Sequence, residues 1–321
     1  MRYRGAQWFL TGVRRYSTSN DRNIGFLGLG NMGGFMAANL VKKGFKVRGY
    51  DPSAEAMKKA DKNGVIGANS VAEAIDGADV VISMLPDDKV VLETYLGKDG
   101  VIERTRKGAL LIESSTVAPT LPRQLFPLAL EKGKRFTDSP VSGGVMGAER
   151  GALAIMSGGH KEDFERALPI FKAMSTNQFY CGDIGTGIIA KLTNNLILFI
   201  NSLAATECLN MGISAGIDPK LLLNIINSST GRSWFTEEYC PVPGLIPTAP
   251  SSRDYKNGFN NDLMVKDLEL ACSMALNVRS PVPLGVLTAQ VYRIMQILGY
   301  GQKDFTYLYQ IMRGEASKHK N

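Results

Sequence analysis

Residues 23–40 read NIGFLGLGNMGGFMAANL. IGFLGLG (24–30) has the apolar run and glycine stop of a strand followed by a turn, and NMGGFMAANLVKKG (31–44) has the spacing of a helix ending on Gly44. Between them Gly28-Leu29-Gly30-Asn31-Met32-Gly33 fits the pattern G-x-G-x-x-G where its mechanism needs it, at a strand-to-helix turn. Gly28 permits the tight turn, Gly30 lets the backbone approach a pyrophosphate, and Gly33 lets the helix pack closely on the strand. The helix N-terminus then offers free N–H groups to phosphate oxygens. KVRGYD (46–51) is the next strand, and Asp51 ends it 23 residues after Gly28. A carboxylate there accepts hydrogen bonds from an adenosine ribose and repels a 2′-phosphate, so NAD is expected rather than NADP. A helix cap before Pro52 and Ser53 is the plainer use of the same side chain.

Outward from this stretch, ADVVISML (78–85), GALLIES (108–114) and RFTDSP (135–140) are further strands separated by helix-length polar segments. That alternation predicts a Rossmann-type doubly wound parallel sheet covered by helices on both faces. GALAIMSGG (151–159), a helix near 162–174 and the strand NQFYCG complete it. From Gly187 the period becomes helical, with candidates near 187–215, 219–228, 261–276, 284–299 and 304–313. The expected organisation is an NAD-binding domain over 20–184 and an all-helical domain over 185–321, joined by the long first helix. The Pro- and Gly-rich segment 231–259 is expected to be irregular.

The chain has 321 residues, 44% of them apolar, which suffices for a core in each of two domains. Its formal charge of +7 invites a nucleic-acid reading, but residues 1–20 hold Arg2, Arg4, Arg14 and Arg15 with no acidic residue. Setting those four aside leaves 33 of the 37 basic residues against 30 acidic ones. Nucleic acid is therefore not an expected partner. The opening MRYRGAQWFLTGVRRYSTSN has the makeup of a mitochondrial transit peptide, taken to cover residues 1–19, with a basic tail as the plainer alternative. The expected destination is the mitochondrial matrix. The apolar stretch 188–217 is interrupted by Lys191, Asn195, Asn201, Glu207 and Asn210, so no membrane span is expected. Cys181, Cys208, Cys240 and Cys272 are scattered without a C-x-x-C pair, and two histidines cannot complete a zinc site. No metal is expected, and the thiols read as buried or semi-buried.

Oxidising an alcohol with NAD leaves a hydroxyl proton that a base must accept. His160 and His319 sit in a turn and a terminal tail, and no Tyr-x-x-x-Lys follows any of the eleven tyrosines. Lysine and carboxylates remain. In GTGIIAKLTNN (185–195), Lys191 and Asn195 lie four apart on one helix face among Ile188, Leu192 and Phe199. Burial and a nearby positive nicotinamide would lower the amine toward neutrality and let it take the proton, with Asn195 holding the substrate oxygen. A helical lysine taken alone more often reaches out to solvent. Ser142, Gly143 and Gly144 of DSPVSGG can present successive N–H groups to an anion, or form a flexible connection. Lys266, near the start of the helix in MVKDLELA (264–271), reads by itself as part of a solvated face.

GLGNMGGFMAANL, DSPVSGGVMGAERG, GDIGTGIIAKLTNN and MVKDLELA stand in the order and spacing of the β-hydroxyacid dehydrogenases, which the chain resembles over about residues 23–313. GRSWFTEEYCPVPG and GYGQKDF look like the branch of that family found in animal mitochondria. The resemblance implies that Lys191 is the catalytic lysine and that Asn195 positions the substrate. It implies that Ser142, Gly143 and Gly144 grip the substrate carboxylate, and that Lys266 closes over cofactor and active site. Leu85, Pro86, Val90 and Thr116 fall at positions lining the NAD site. The implied reaction is oxidation of 3-hydroxyisobutyrate, a small hydroxy acid, to methylmalonate semialdehyde in valine breakdown, and the implied assembly is a homodimer or homotetramer. A tartronate or succinic semialdehyde reductase on the same scaffold is the alternative. Two departures from the family pattern stand out: Glu269 replaces a small residue, and Asn194 takes the place of a histidine in the phosphogluconate branch. RRYS (14–17) resembles a matrix-processing site, so protein isolated from mitochondria should begin near Ser17 by N-terminal sequencing, and a retained Met1 would contradict processing.

Overall fold

The computed structural model describes residues 22–316; the expected leader and His319 lie outside the described residues. Among these, one sheet contains β1 (Asn23–Leu27), β2 (Lys46–Tyr50), β3 (Ile66–Gly67), β4 (Val80–Ser83), β5 (Leu110–Glu113), β6 (Arg135–Asp138), β7 (Val141–Ser142), β8 (Leu153–Gly159) and β9 (Ser175–Gly182). Its helices are α1 (Gly33–Lys42), α2 (Ala54–Lys62), α3 (Val71–Ile75), α4 (Asp88–Leu96), α5 (Val101–Arg104), α6 (Thr120–Glu131), α7 (Gly144–Arg150) and α8 (Lys161–Met174). Strands β3-β2-β1-β4-β5-β6 run parallel in that order, which is the order of a dinucleotide-binding sheet. The chain order reverses between β1 and β4, the point at which sheets of this kind open a crevice at the carboxyl ends of their strands. Helices on both faces explain why β4 and β5 are buried at every position and read as unbroken apolar runs.

The far edge departs from the parallel expectation. Strand β8 runs antiparallel to β6 and β7, and β9 pairs parallel with β8. The chain returns from β7 through the seven-residue α7 alone, too little for the crossover a parallel neighbour requires. Strands β3 and β7, two residues each, were too short to carry a periodic signal.

From Thr186 the fold is helical: α9 (Thr186–Ser214), α10 (Pro219–Asn227), α11 (Trp234–Glu238), α12 (Asn261–Asn277), α13 (Pro283–Met295) and α14 (Leu308–Met312). The 29-residue α9 is the shaft on which α10, α11, α12, α13 and α14 pack. By length and apolar composition it could pass for a membrane span. Lys191, Asn195, Ser202 and Thr206 nevertheless lie buried along it, beneath the other helices. No residue of α9 caps its start; Gly185 is in the left-handed region at φ 86°. Asp138 at the end of β6 supplies the cap, its Oδ1 accepting the Gly185 N–H at 2.7 Å and its Oδ2 the Ile188 N–H at 2.9 Å. Gly187 sits so close to the backbone oxygens of Met156 and Asp138 that a Cβ would collide with both.

Segment 231–259 is more ordered than its composition suggests. It holds α11, begun by a capping box between Ser233 and Thr236, and a single turn at Pro250–Arg253. Buried Asp304 ties it down, its Oδ2 accepting the Tyr239 hydroxyl and the Phe259 N–H, each at 2.8 Å. The predicted helix 284–299 ends its regular course at Met295, and Gly299 adopts φ 87°. Glu269 is accounted for by an exposed ion pair with Arg293, which links α12 to α13 at the surface. Of the cysteines, Cys240 is buried and Cys181 and Cys272 are half-buried, but Cys208 is exposed on α9, against the expectation for all four.

The Asp138 carboxylate is the only cap α9 has among the described residues, so Asp138→Ala strands two backbone donors in a buried seam. Urea unfolding should show a loss of about 2 kcal/mol; an unchanged midpoint would remove this joint from the account.

Candidate active site

The dinucleotide loop has the geometry its glycines require. Gly28 is left-handed at φ 88°, and a Cβ there would strike the Met84 carbonyl. Gly33 lies against the Gly28 carbonyl and the Phe26 ring, so α1 can start directly over β1. At Gly30 a Cβ would meet nothing within 4 Å, which leaves open space in front of the loop. Gly30 and Asn31 are exposed, Met32 and Gly28 half-buried, and Leu29 buried. Among the described residues no side chain caps α1, although the Gly34 N–H is taken by Gly30 O at 2.9 Å, so the start of the helix lies open to that space. The surroundings fit the diphosphate of a dinucleotide. Asp51 accepts the Leu29 N–H on Oδ2 and the Ser53 N–H on Oδ1, both at 2.8 Å. It thus braces the loop, while the cap of α2 is Ser53 and not Asp51. Each carboxylate oxygen keeps a further lone pair for a ribose hydroxyl.

Across the crevice, Lys266 of α12 joins the two halves. Its Nζ donates to Pro86 O at 3.1 Å and to Thr116 O at 2.6 Å, in the loops that follow β4 and β5. The Leu85 N–H donates to Ser115 Oγ at 2.7 Å and fastens those loops to one another. The lysine read as a solvated face on spacing alone is therefore a bridge. Val90 lies in the first turn of α4, its N–H donated to the Asp87 cap at 2.9 Å.

Lys191 lies on the face of α9 turned toward α12, only 9% exposed, and Asn195 one turn on is 5% exposed. Among the described residues the Lys191 ammonium has no hydrogen-bond acceptor. Burial pushes it down from the ordinary lysine value to about 8, with Asp267 opposing the shift and Lys266 adding to it. Asp267 is 3% exposed and accepts the Asn195 Nδ2–H at 2.8 Å on Oδ2, while its Oδ1 lies 3.4 Å from Lys266 Nζ. One carboxylate thus orients the amide and sits beside both lysines. Nothing in the spacing of MVKDLELA marks Asp267; only the packing of α12 on α9 gives that carboxylate its neighbours. Asn194, which is exposed, donates to Asn195 Oδ1 at 3.4 Å.

Ser142, Gly143 and Gly144 sit where β7 turns into α7, with φ 128° at Gly143 and 62° at Gly144. Ser142 pairs with Ala154 on β8, the strand against which Gly187 packs. The loop is consequently fixed, through β8, to the base of α9. Ser142 is half-buried and both glycines are exposed, so their N–H groups are accessible to an anion.

The sequence and the fold have known counterparts. The chain is 43% identical over 300 residues to a probable mitochondrial 3-hydroxyisobutyrate dehydrogenase of Dictyostelium discoideum, covering 94% of each chain. It is 41% identical over 316 residues to the human mitochondrial 3-hydroxyisobutyrate dehydrogenase, covering 98% of this chain and 94% of the relative. The chain belongs to the 3-hydroxyisobutyrate dehydrogenase family. Within that family it is an NAD-dependent oxidoreductase. Residues 23–182 match the NAD binding domain of 6-phosphogluconate dehydrogenase, and residues 185–312 match the domain described as NAD-binding of NADP-dependent 3-hydroxyisobutyrate dehydrogenase. The solved 3-hydroxyisobutyrate dehydrogenase of Mycobacterium tuberculosis with L-serine superimposes with a TM-score of 0.84 at 38% identity, covering 91% of this chain and 99% of that one.

The negative charge of Asp267 holds Lys191 up against burial, so Asp267→Asn should carry the amine further down. The rising limb of kcat/KM against pH for alcohol oxidation should then move to lower pH; a move to higher pH would show that Asp267 does not act on this lysine.

Proposed function

We propose that the chain oxidises 3-hydroxyisobutyrate to methylmalonate semialdehyde with NAD, as the names of its relatives indicate. The observation that carries the mechanism is the buried amine of Lys191, brought to about 8 at the seam of the two halves. NAD, when bound, accepts the hydride from the alcohol carbon. Lys191, neutral, takes the hydroxyl proton, and in the reverse direction its ammonium returns it. Asn195, its amide held by Asp267 and its Oδ1 accepting from Asn194, keeps its second Nδ2–H for the substrate oxygen. Ser142, Gly143 and Gly144 receive the substrate carboxylate on their backbone N–H groups. Gly28 to Gly33, Asp51, Leu85, Pro86, Val90 and Thr116 line the nucleotide side, and Lys266 bridges to it from α12. The Asp51 carboxylate favours NAD over NADP by repelling a 2′-phosphate.

The working location that goes with this reading is the mitochondrial matrix, reached by removal of the N-terminal leader near Ser17. The helical half also has an assembly to make. Ile197, Leu276, Leu284, Leu287, Ile294 and Ile297, on or beside α9, α12 and α13, are all more than half exposed, an apolar surface suited to a second copy of the chain. A homodimer or homotetramer is the assembly that covers it.

Leader-free protein should oxidise 3-hydroxyisobutyrate with NAD at a higher kcat/KM than it reduces tartronate or succinic semialdehyde, with L-serine as a second alcohol for comparison. Lys191→Ala should cut kcat by about 10²–10⁴-fold while NAD still binds. In the wild-type chain oxidation should rise as pH passes through about 8, where the amine loses its proton, and reduction should fall over the same interval. Near-normal turnover in Lys191→Ala would refute the assignment of the base.

A further inference from the structure

Below the loops that receive Lys266 lies a buried polar row that the reaction does not use. Ser83, Glu113 and Asp138 end β4, β5 and β6 in register with one another. All three are completely shielded from solvent. Glu113 Oε1 accepts the Ser115 N–H at 2.9 Å and lies 3.4 Å from Ser83 Oγ, which in turn shares a 2.8 Å hydrogen bond with the Tyr95 hydroxyl of α4. Glu113 Oε2 is buried without a hydrogen-bond partner among the described residues. The titratable groups facing it are Asp138 from β6 and Tyr95 from α4, and neither is a cation.

We infer that Glu113 is a positioning residue, acting as an uncharged carboxylic acid that sets the two loops to which Lys266 is latched. The chain of contacts is continuous. Glu113 holds the Ser115 N–H, the Ser115 hydroxyl holds the Leu85 N–H at 2.7 Å, and the neighbouring carbonyls of Pro86 and Thr116 receive Lys266. The two adjacent carboxyls divide their roles. Asp138 faces the α9 N-terminus and its N–H donors, whereas Glu113 has among the described residues no donor beyond Ser115 and Ser83 and is pushed up to about 8 by burial, with Asp138 repelling its charged form. At neutral pH the proton therefore stays on Glu113. A glutamine is then its nearest isostere, since the amide oxygen accepts from Ser115 as Oε1 does and no charge is lost.

This inference rests on Lys266 gripping the nucleotide side of the crevice, and binding measurements separate the two. NAD affinity, read by quenching of protein fluorescence, is compared for the wild-type chain, E113Q, E113A, K266A and the double variant E113A/K266A. We expect E113Q to bind as the wild type does, E113A to bind roughly tenfold more weakly, and the double variant to bind no more weakly than K266A. Unchanged binding in K266A would sink the latch and Glu113's part with it. Losses that multiply in the double variant, with K266A itself impaired, would leave the latch standing and overturn the role of Glu113, as would an E113Q as impaired as E113A. Should E113A fail to fold, Ser115→Ala removes the hydroxyl between the loops and takes its place in the same cycle, read by the same two criteria.

Discussion

The bond between the Asp138 carboxylate and the first N–H groups of α9 is the joint on which the rest of this molecule depends. An α/β sheet and a helical bundle have no inherent reason to hold a fixed orientation to one another. Here one buried carboxylate at the end of a sheet strand caps a helix that begins nearly fifty residues later, between a glycine that turns left-handed and a glycine that tolerates direct backbone contact. The burial of that charge is made tolerable by the helix dipole and two short hydrogen bonds. With the joint in place, Lys191 is less than two turns from the sheet.

The crevice between the halves is organised by unequal treatment of like groups. Lys266 and Lys191 belong to neighbouring helices, yet one donates to two carbonyls and the other has no hydrogen-bond acceptor among the described residues. The first is thereby suited to holding and the second to exchanging a proton. Asp267 stands between them, and its position decides how far burial can drive Lys191 toward neutrality. The carboxyls Glu113 and Asp138 divide in the same manner, one held without charge and the other facing a helix N-terminus. In each pair the distinction comes from the hydrogen-bond donors and acceptors within reach and not from residue type.

Features tied to local spacing were legible in the sequence. The glycine loop, Asp51 at the end of the second strand, the parallel strands and the i, i+4 pairing of Lys191 with Asn195 all follow from short-range periodicity, and the structure has each of them. Lys266 was legible only through resemblance, because its acceptors lie 150 and 180 residues away. Asp267, Ser115 and the capping role of Asp138 left no local signal, since each acquires its partner from another element. The antiparallel edge was hidden for a related reason: β7 is two residues long, and direction is set by how much chain separates it from β8. The order within segment 231–259 depends on Asp304, which lies beyond the segment's own end.

The length of α9 has a mechanical side. At about 1.5 Å per residue the helix runs roughly 40 Å, but Lys191 stands only about 8 Å from the end that Asp138 pins. Geometry alone makes the two ends of that lever unequal: the same change of angle at the pinned end displaces the far end of α9 about five times as far as it displaces Lys191.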